Sequence, residues 1–375
     1  MSDKLLINSL PTTSNHKIGT ILLNSPESLN SLTQEMIDEM TLQLSEWKDD
    51  KTIVAVTIEG AGDKALCAGG DIRALYESMT KHPGGPNPIA EEFFESEYRL
   101  DYLLHSYTKP VICWVDGIAM GGGAGLMLGS NFKIGTERTR FAMPEIGVGL
   151  FPDVGFTSFI NRLPQGVGMY LMLTATQLNA ADTKSVGLTD FYISSSAKEE
   201  ISNKLLNLSW VQDPAENKEI LKQFLSVVSK EEKARKNYPE PQLVLRLEEI
   251  KRITNENSLL EVKNNLLNSK DDEWIKKGSE RFKKGCPTSA FLIWEQCKRA
   301  SSLSLKEVFK FELDLAIQVT RHSDFLEGIR AAIIEKDNNP NWHFGNVEDV
   351  LEVWIEKHLE PAWTNNPLSD LEEIH

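Results

Sequence analysis

Cysteine is scarce in this 375-residue chain, and the four residues present, Cys67, Cys113, Cys286 and Cys297, show neither CxxC pairing nor regular spacing. They sit among apolar neighbours, which argues against a disulfide framework or a structural zinc site and reads as buried free thiols. Metal-ligand spacing is missing altogether. No apolar run is long enough to span a bilayer. The N-terminus passes from Met1 straight into strand-like Leu5-Leu6-Ile7, without a signal h-region or an Arg/Ser-rich transit segment. The terminal Glu-Glu-Ile-His is no peroxisomal tripeptide. These absences lead to the expectation of a soluble, cytoplasmic protein. Basic charge is also short, 40 Lys and Arg against 55 Asp and Glu for a formal net charge of -15, so neither nucleic acid nor an anionic membrane is expected as a partner. A polyanionic small molecule can still bind through local cations and backbone amides.

What is present is an ordinary globular composition, 41% hydrophobic and 25% charged, in a chain longer than one average domain. Residues 17–24 and 52–59 are short, rich in β-branched side chains and bounded by Asn, Pro or Gly, and read as strands. Between them Met36, Ile37, Met40, Leu42, Leu44 and Trp47 recur at broadly helical spacing over 33–48, with Thr33 as N-cap. A further strand at 110–115 enters a glycine-rich turn that opens an apolar helix over 122–129. Alternation of this kind predicts an α/β core. After residue 196 strand signals vanish and helical patterns follow at 197–208, 215–229, 241–254, 258–268, 286–299, 304–321 and 346–358, with a charged, Lys-rich stretch over 229–284. The expected organisation is an α/β core, 1–195, and a mainly helical C-terminal region, 196–375.

Three segments carry chemistry. In the first, Cys67-Ala68-Gly69-Gly70 ahead of Asp71, small residues allow a ligand close to the main chain and a turn can converge N–H groups on one point; a plain loop capped by Asp71 is the bland reading. In the second, Gly121-Gly122-Gly123 opens a helix, leaving amides and the positive end of the dipole unblocked, although close helix–sheet packing also uses glycine. Neither GxGxxG with its acidic partner nor GxxxxGK[ST] is present, which disfavours dinucleotide and nucleoside-triphosphate sites. In the third, Phe141 to Gly155, Glu145 and Asp153 lie in apolar backbone restricted by Pro and Gly, where desolvation should raise at least one carboxyl pKa. An acid, base or nucleophile needs such a setting. For Asp153 the competing reading is a simple helix cap.

Taken together and in this order, the three segments resemble the crotonase (enoyl-CoA hydratase/isomerase) superfamily. The resemblance implies a crotonase-like spiral of ββα units, backbone donors at Gly70 and Gly122 facing a thioester oxygen, and an acyl-coenzyme A substrate that brings coenzyme A as part of itself, with no other cofactor. Within the superfamily, Ala142-Met143-Pro144-Glu145 followed by Gly149 to Gly155, the stretch Asp324 to Trp342, and Pro287-Thr288-Ser289 are similar to the 3-hydroxyisobutyryl-CoA hydrolase branch. Hydratases of the superfamily carry a second glutamate where this chain has Gly125, and a small residue where it has Asp153. The resemblance therefore implies hydrolysis of a hydroxyacyl thioester, with 3-hydroxyisobutyryl-CoA of valine degradation as substrate and Glu145 and Asp153 as catalytic pair. Glu97, Ala68, Gly69 and Asp71 are implied substrate contacts, Glu97 competing with a solvent-facing helix carboxylate. Lys64, Arg73 and Lys336 are candidates for the coenzyme A phosphates. Enoyl-CoA hydration or isomerisation, and a non-catalytic acyl-CoA-binding scaffold, are the alternatives. Superfamily members usually assemble through C-terminal helices, which the resemblance offers as the surface for a homo-oligomer; the longer helical part of this chain could instead fold back over its own core.

Overall fold

The computed structural model describes residues 3–233 and 238–374. Met1, Ser2 and His375 of the terminal readings, and 234–237 of the Lys-rich stretch, lie outside the described residues. The chain divides into two compact units, one formed by 1–70, 99–141 and 178–245, the other by 71–98, 142–177 and 246–375. The strand-bearing sequence does end near the expected point, at Phe191–Tyr192, yet the units interleave along the chain rather than following one cut at 195/196.

The first unit holds nine strands: β1 (Leu5–Pro11), β2 (Lys17–Leu23), β3 (Ile53–Gly60), β4 (Ala65–Cys67), β5 (Val111–Val115), β6 (Ile118–Met120), β7 (Phe132–Gly135), β8 (Arg140–Ala142) and β9 (Phe191–Tyr192). They form a six-stranded sheet in the order β1-β2-β3-β5-β7-β9 and a three-stranded sheet in the order β4-β6-β8. From β3 to β8 each of three passes of the chain thus gives one strand to each sheet, the ββ half of the expected spiral. Beyond the antiparallel β1–β2 hairpin the large sheet is parallel, and β5 reads Val-Ile-Cys-Trp-Val with every residue buried, as a strand covered on both faces must.

Two helices expected among the C-terminal patterns, Lys198–Leu205 and Pro214–Lys233, belong to this sheet unit. Their apolar stripe of Ile201, Leu205, Leu221, Leu225 and Val228 packs with Ile18, Val54, Ile112, Trp114 and Ile134 of the strands in one core. An amphipathic helix buries its apolar face where a sheet offers one, whatever its place in the sequence. The expected helix at 33–48 forms as Gln34–Asp49, and the Thr33 hydroxyl accepts from the Met36 amide.

The second unit is helical among its described residues. Its longer helices include Ile72–Lys81, Val167–Thr174, Leu247–Thr254, Leu259–Asn268, Glu273–Lys284, Pro287–Arg299 and Leu305–Thr320. Glu273–Lys284 lies at the end of the charged stretch, past the helix expected over 258–268, where no helix was expected. Its buried side, Ile275, Gly278, Ser279 and Phe282, is sparse but keeps helical spacing.

Candidate active site

In the first unit, β4 pairs in parallel with β6, Ala65 opposite Ile118 and Cys67 opposite Ala119. Parallel neighbours end on the same side, so the loops that follow them, 68–70 and 121–122, emerge together. The contact is close: a Cβ on Gly69 would lie 3.5 Å from the Met120 carbonyl and 3.9 Å from the Gly122 nitrogen, and one on Gly123 would fall 2.1 Å from the Cys67 carbonyl. Gly122 is the first residue of helix Gly122–Gly129, and amides of a first helical turn have no intrahelical acceptor. Gly121, at φ 49° and ψ -127°, makes the entry, a conformation open to glycine. The other loop is anchored by the Ala68 amide on the Leu29 carbonyl (3.0 Å) and the Leu32 amide on the Gly69 carbonyl (2.9 Å). The Asn30 side chain fixes the anchor itself, donating to the Ala61 and Ala65 carbonyls and accepting from the Ser25 amide. The two expected donors, Gly70 and Gly122, thus lie in adjoining loops of one unit, with Ala68 and Gly69 beside them.

Gly125 faces a carboxylate. A Cβ there would sit 2.5 Å from Oδ2 of Asp101, in space that the Asp101 side chain fills. Lys64 is exposed on the rim of a cavity of about 260 Å³ lined also by Pro26, Glu27, Leu29, Asn30 and Gly62.

In the second unit four carboxyl groups are buried near one another. Glu97 (3% exposed) is inside the fold and not solvent-facing, alongside Glu145 (5%), Asp153 (4%) and Glu312 (0%). Burial raises Glu145 well above the usual carboxylate range, and the charges of Asp153 and Glu97 add to it. Glu97 is raised for the same reasons, burial first and then Asp153. Asp153 is pushed by burial only to about 6, because the Tyr98 hydroxyl donates to its Oδ2 at 2.7 Å and a backbone amide helps hold it down. Oε1 of Glu97 and Oε2 of Glu145 find no hydrogen-bond partner among the described residues. Buried carboxyl oxygens left this way are costly, and a site that expects a ligand explains them.

Asp153 is no helix cap. The 3-10 turn that follows, Phe156–Phe159, is entered through Gly155 without a side-chain cap bond, and the Asp153 carboxyl is engaged with Tyr98. Glu145 begins a 3-10 turn, Glu145–Val148, which Gly149 closes at φ 77°. Two glycines let helix Ser323–Ile329 press on this turn: a Cβ on Gly149 would meet the Asp324 carbonyl at 2.4 Å, and one on Gly328 the Val148 carbonyl at 2.1 Å. Asp324 is held in turn by the Thr288 hydroxyl (2.7 Å), the Cys286 thiol (3.4 Å) and the His343 amide (2.7 Å). The distal segments around Thr288 and Asp324 are therefore the buttress of the Glu145 turn.

Of the remaining candidates, Asp71 accepts from the Arg73 amide and caps helix Ile72–Lys81. Arg73 and Lys336 are exposed, Arg73 on helix Ile72–Lys81, which packs against Arg330–Ile334, and Lys336 two residues beyond that element. The residues that sequence reading missed are Tyr98 and Glu312. Glu312 carried a readable sign, a charge on the apolar stripe of Val308, Phe309, Leu313 and Ala316. No cluster of three or more His, Cys, Asp or Glu suited to a metal ion occurs among the described residues, and no described helix is long and apolar enough to cross a membrane.

Residues 18–359 match the protein family described as enoyl-CoA hydratase/isomerase. The chain is 36% identical over 345 residues to the mitochondrial 3-hydroxyisobutyryl-CoA hydrolase of Danio rerio, covering 91% of this chain and 86% of that one. The Homo sapiens protein of the same name is 33% identical over 344 residues, covering 91% and 86%. Among solved structures, a carnitinyl-CoA dehydratase of Mycobacterium thermoresistibile superposes with a TM-score of 0.85 at 27% identity, over 99% of this chain and 100% of the other. An enoyl-CoA hydratase of Rhodobacter sphaeroides gives 0.81 at 27% identity, over 96% and 98%. The expectation of a cytoplasmic compartment does not stand, because the similar hydrolases are mitochondrial proteins.

Proposed function

The chain belongs to the enoyl-CoA hydratase/isomerase family, and from that premise we propose that it hydrolyses 3-hydroxyisobutyryl-CoA to 3-hydroxyisobutyrate and coenzyme A, through Glu145 and Asp153. The observation that carries this reading is the pair itself: two buried carboxyls of unlike proton affinity, with Gly125 where a hydratase needs its second glutamate. Coenzyme A enters as part of the substrate, and the reaction calls for no other cofactor.

In the proposed mechanism the amides of Gly70 and Gly122 donate to the thioester oxygen, stabilising the oxyanion as it forms. Glu145 attacks the carbonyl carbon, and its proton, made acidic as the new C–O bond forms, passes to Asp153, the carboxyl that ionises most readily in the cluster. The tetrahedral intermediate collapses, and the thiolate leaves with the proton held by Asp153. Water then adds to the resulting mixed anhydride, giving the free acid and restoring Glu145. Glu97, with its unpartnered buried oxygen, is assigned to the acyl hydroxyl. Lys64, Arg73 and Lys336 are assigned to the phosphates of coenzyme A.

A thiol-release assay over short hydroxyacyl-CoA thioesters tests the function, with 3-hydroxypropionyl-CoA as the comparison substrate. Loss of the enoyl absorbance of crotonyl-CoA without thiol release would replace hydrolysis by hydration. Tight acyl-CoA binding without turnover of any thioester would leave a binding scaffold. A single turnover in oxygen-18 water tests the covalent step: label in the Glu145 carboxyl marks an anhydride opened at the Glu145 carbon, whereas absence of label there together with no acyl–Glu145 adduct trapped by hydroxylamine would make Glu145 a general base.

A further inference from the structure

The residue after Asp153 is held in a conformation that its side chain disfavours. Val154 is β-branched, fully buried, and sits at φ 52°, with Gly155 following at φ 81°. Two left-handed residues in succession, the first of them valine, persist only where surrounding contacts over-determine them. Those contacts come from one face of helix Leu305–Thr320. Phe309 lies under Gly155, where a Cβ would meet its ring at 2.7 Å, and its ring is set edge-on to Tyr98 with centroids 6.0 Å apart. One helical turn on, Glu312 accepts from the Gly155 amide through Oε2 at 2.7 Å and from the Thr157 amide through Oε1 at 3.1 Å. Gln296 closes the other side, donating to the Pro152 carbonyl at 2.6 Å and to the Thr157 hydroxyl at 2.9 Å.

We infer that Glu312 is a positioning residue for Asp153: by holding the amides of Gly155 and Thr157 it maintains the left-handed Val154–Gly155 turn that aims the Asp153 carboxyl at Tyr98. This rests on the reading of Asp153 as a participant in thioester hydrolysis. A carboxyl suits the task because both of its oxygens accept, one for each amide. Glutamine would offer one oxygen and turn an N–H donor towards the second amide. The titratable groups around Asp153 are Glu97 and Tyr98 from helix Pro88–His105, Glu145 from its 3-10 turn, and Glu312 itself. Burial pushes Glu312 up to about 8, the Asp153 charge adding to it, while the bonds from Thr157 and the Gly155 amide favour the carboxylate and oppose the rise.

The test compares Glu312→Ala and Glu312→Gln alone and in an Asp153→Asn background, by thiol release and by hydrogen exchange of the peptide spanning 150–160. Displacing a catalytic group by about an ångström lowers kcat by roughly 10²-fold, the loss expected for Glu312→Ala with KM nearly unchanged and an intermediate value for Glu312→Gln. In the Asp153→Asn background the same changes should have less than about three-fold effect, because groups acting through one another are not additive. Exchange in 150–160 should rise in both variants. Equal losses in the two backgrounds, or exchange unchanged from wild type, would overturn the inference. Should Glu312→Ala fail to fold, Glu312→Gln carries the comparison. A wild-type protein that releases no thiol from any acyl-CoA would sink the hydrolase reading instead, and the exchange result would still decide whether Glu312 holds the turn.

Discussion

The phenolic oxygen of Tyr98 lies 2.7 Å from Oδ2 of Asp153 and donates to it, the side-chain bond that offsets burial at the carboxyl of lowest proton affinity in the site. Tyr98→Phe removes the bond and keeps the ring. Without it the Asp153 carboxylate is less stabilised and its pKa rises from about 6. A bond to a charged group is worth ~1.5–3 kcal/mol, so the acidic limb of kcat/KM should move to higher pH by one unit or somewhat more. A pH profile of thiol release checks this; a lowered plateau with an unmoved limb would mean that Tyr98 only fills space.

Glu145→Gln preserves size and removes the group that attacks. Thiol release should fall by about 10³-fold or more. Thermal stability should hold or increase, because burial disfavours the charged form of this carboxyl. Ordinary turnover in a folded Glu145→Gln protein would refute the assignment of the site.

Gly123→Ala probes the paired loops. Its new Cβ would fall 2.1 Å from the Cys67 carbonyl, backbone that has to move for it to fit. Losing one oxyanion donor is worth ~3–4 kcal/mol, so kcat should drop by about 10²–10³-fold while KM changes far less. Gly345→Ala, where no atom lies within 4 Å of the added carbon, is the matched control. Equal kinetics for the two variants would remove the loops from the mechanism.

The buried carboxyls also make stability depend on pH. Glu312, raised from 4.5 to about 8, and Asp153, raised from 3.8 to about 6, hold protons in the folded chain that the unfolded chain has released. For groups raised in this way stability is complete below the unfolded pKa and is lost as pH climbs through the folded one. His358 runs oppositely: burial lowers it from 6.5 to about 4, with His322 adding to the effect, so its contribution is lost as pH falls below 6.5. The unfolding free energy should therefore rise as pH is lowered from 8 to 6.5, by at most ~1.4 kcal/mol per pH unit from each carboxyl, and the melting temperature with it. Calorimetry of wild type and Glu312→Gln checks this. The variant should show the shallower slope, and a wild-type melting temperature falling over that interval would contradict the burial argument.

Much of the first unit was legible because its elements are local. Thr33, Gln34–Asp49 and the strands 17–23 and 53–60 declare themselves by capping and by periodicity. Glu145 and Asp153 could be singled out by the apolar, Pro- and Gly-restricted backbone around them, whereas Gly70 and Gly122 were picked out of their glycine-rich segments only by the family resemblance. What escaped depends on partners far away in sequence. Tyr98 gains its meaning from Asp153, 55 residues on, and Glu312 from Gly155, 157 residues back. Thr288 and Asp324 stood out only as matches to a family, and their physical role is to brace a turn more than a hundred residues earlier. Assignment of 198–233 to the helical region failed for a related reason: an apolar stripe does not announce which surface will cover it.

Gly125 and Asp101 bear on which reactions this site can be rebuilt to perform. Installing a glutamate at 125 would drive its first side-chain carbon to 2.5 Å from the Asp101 carboxylate, two acidic groups competing for one volume. A glutamate at 125 therefore demands at least two coordinated substitutions, the first of which, made alone, harms the protein.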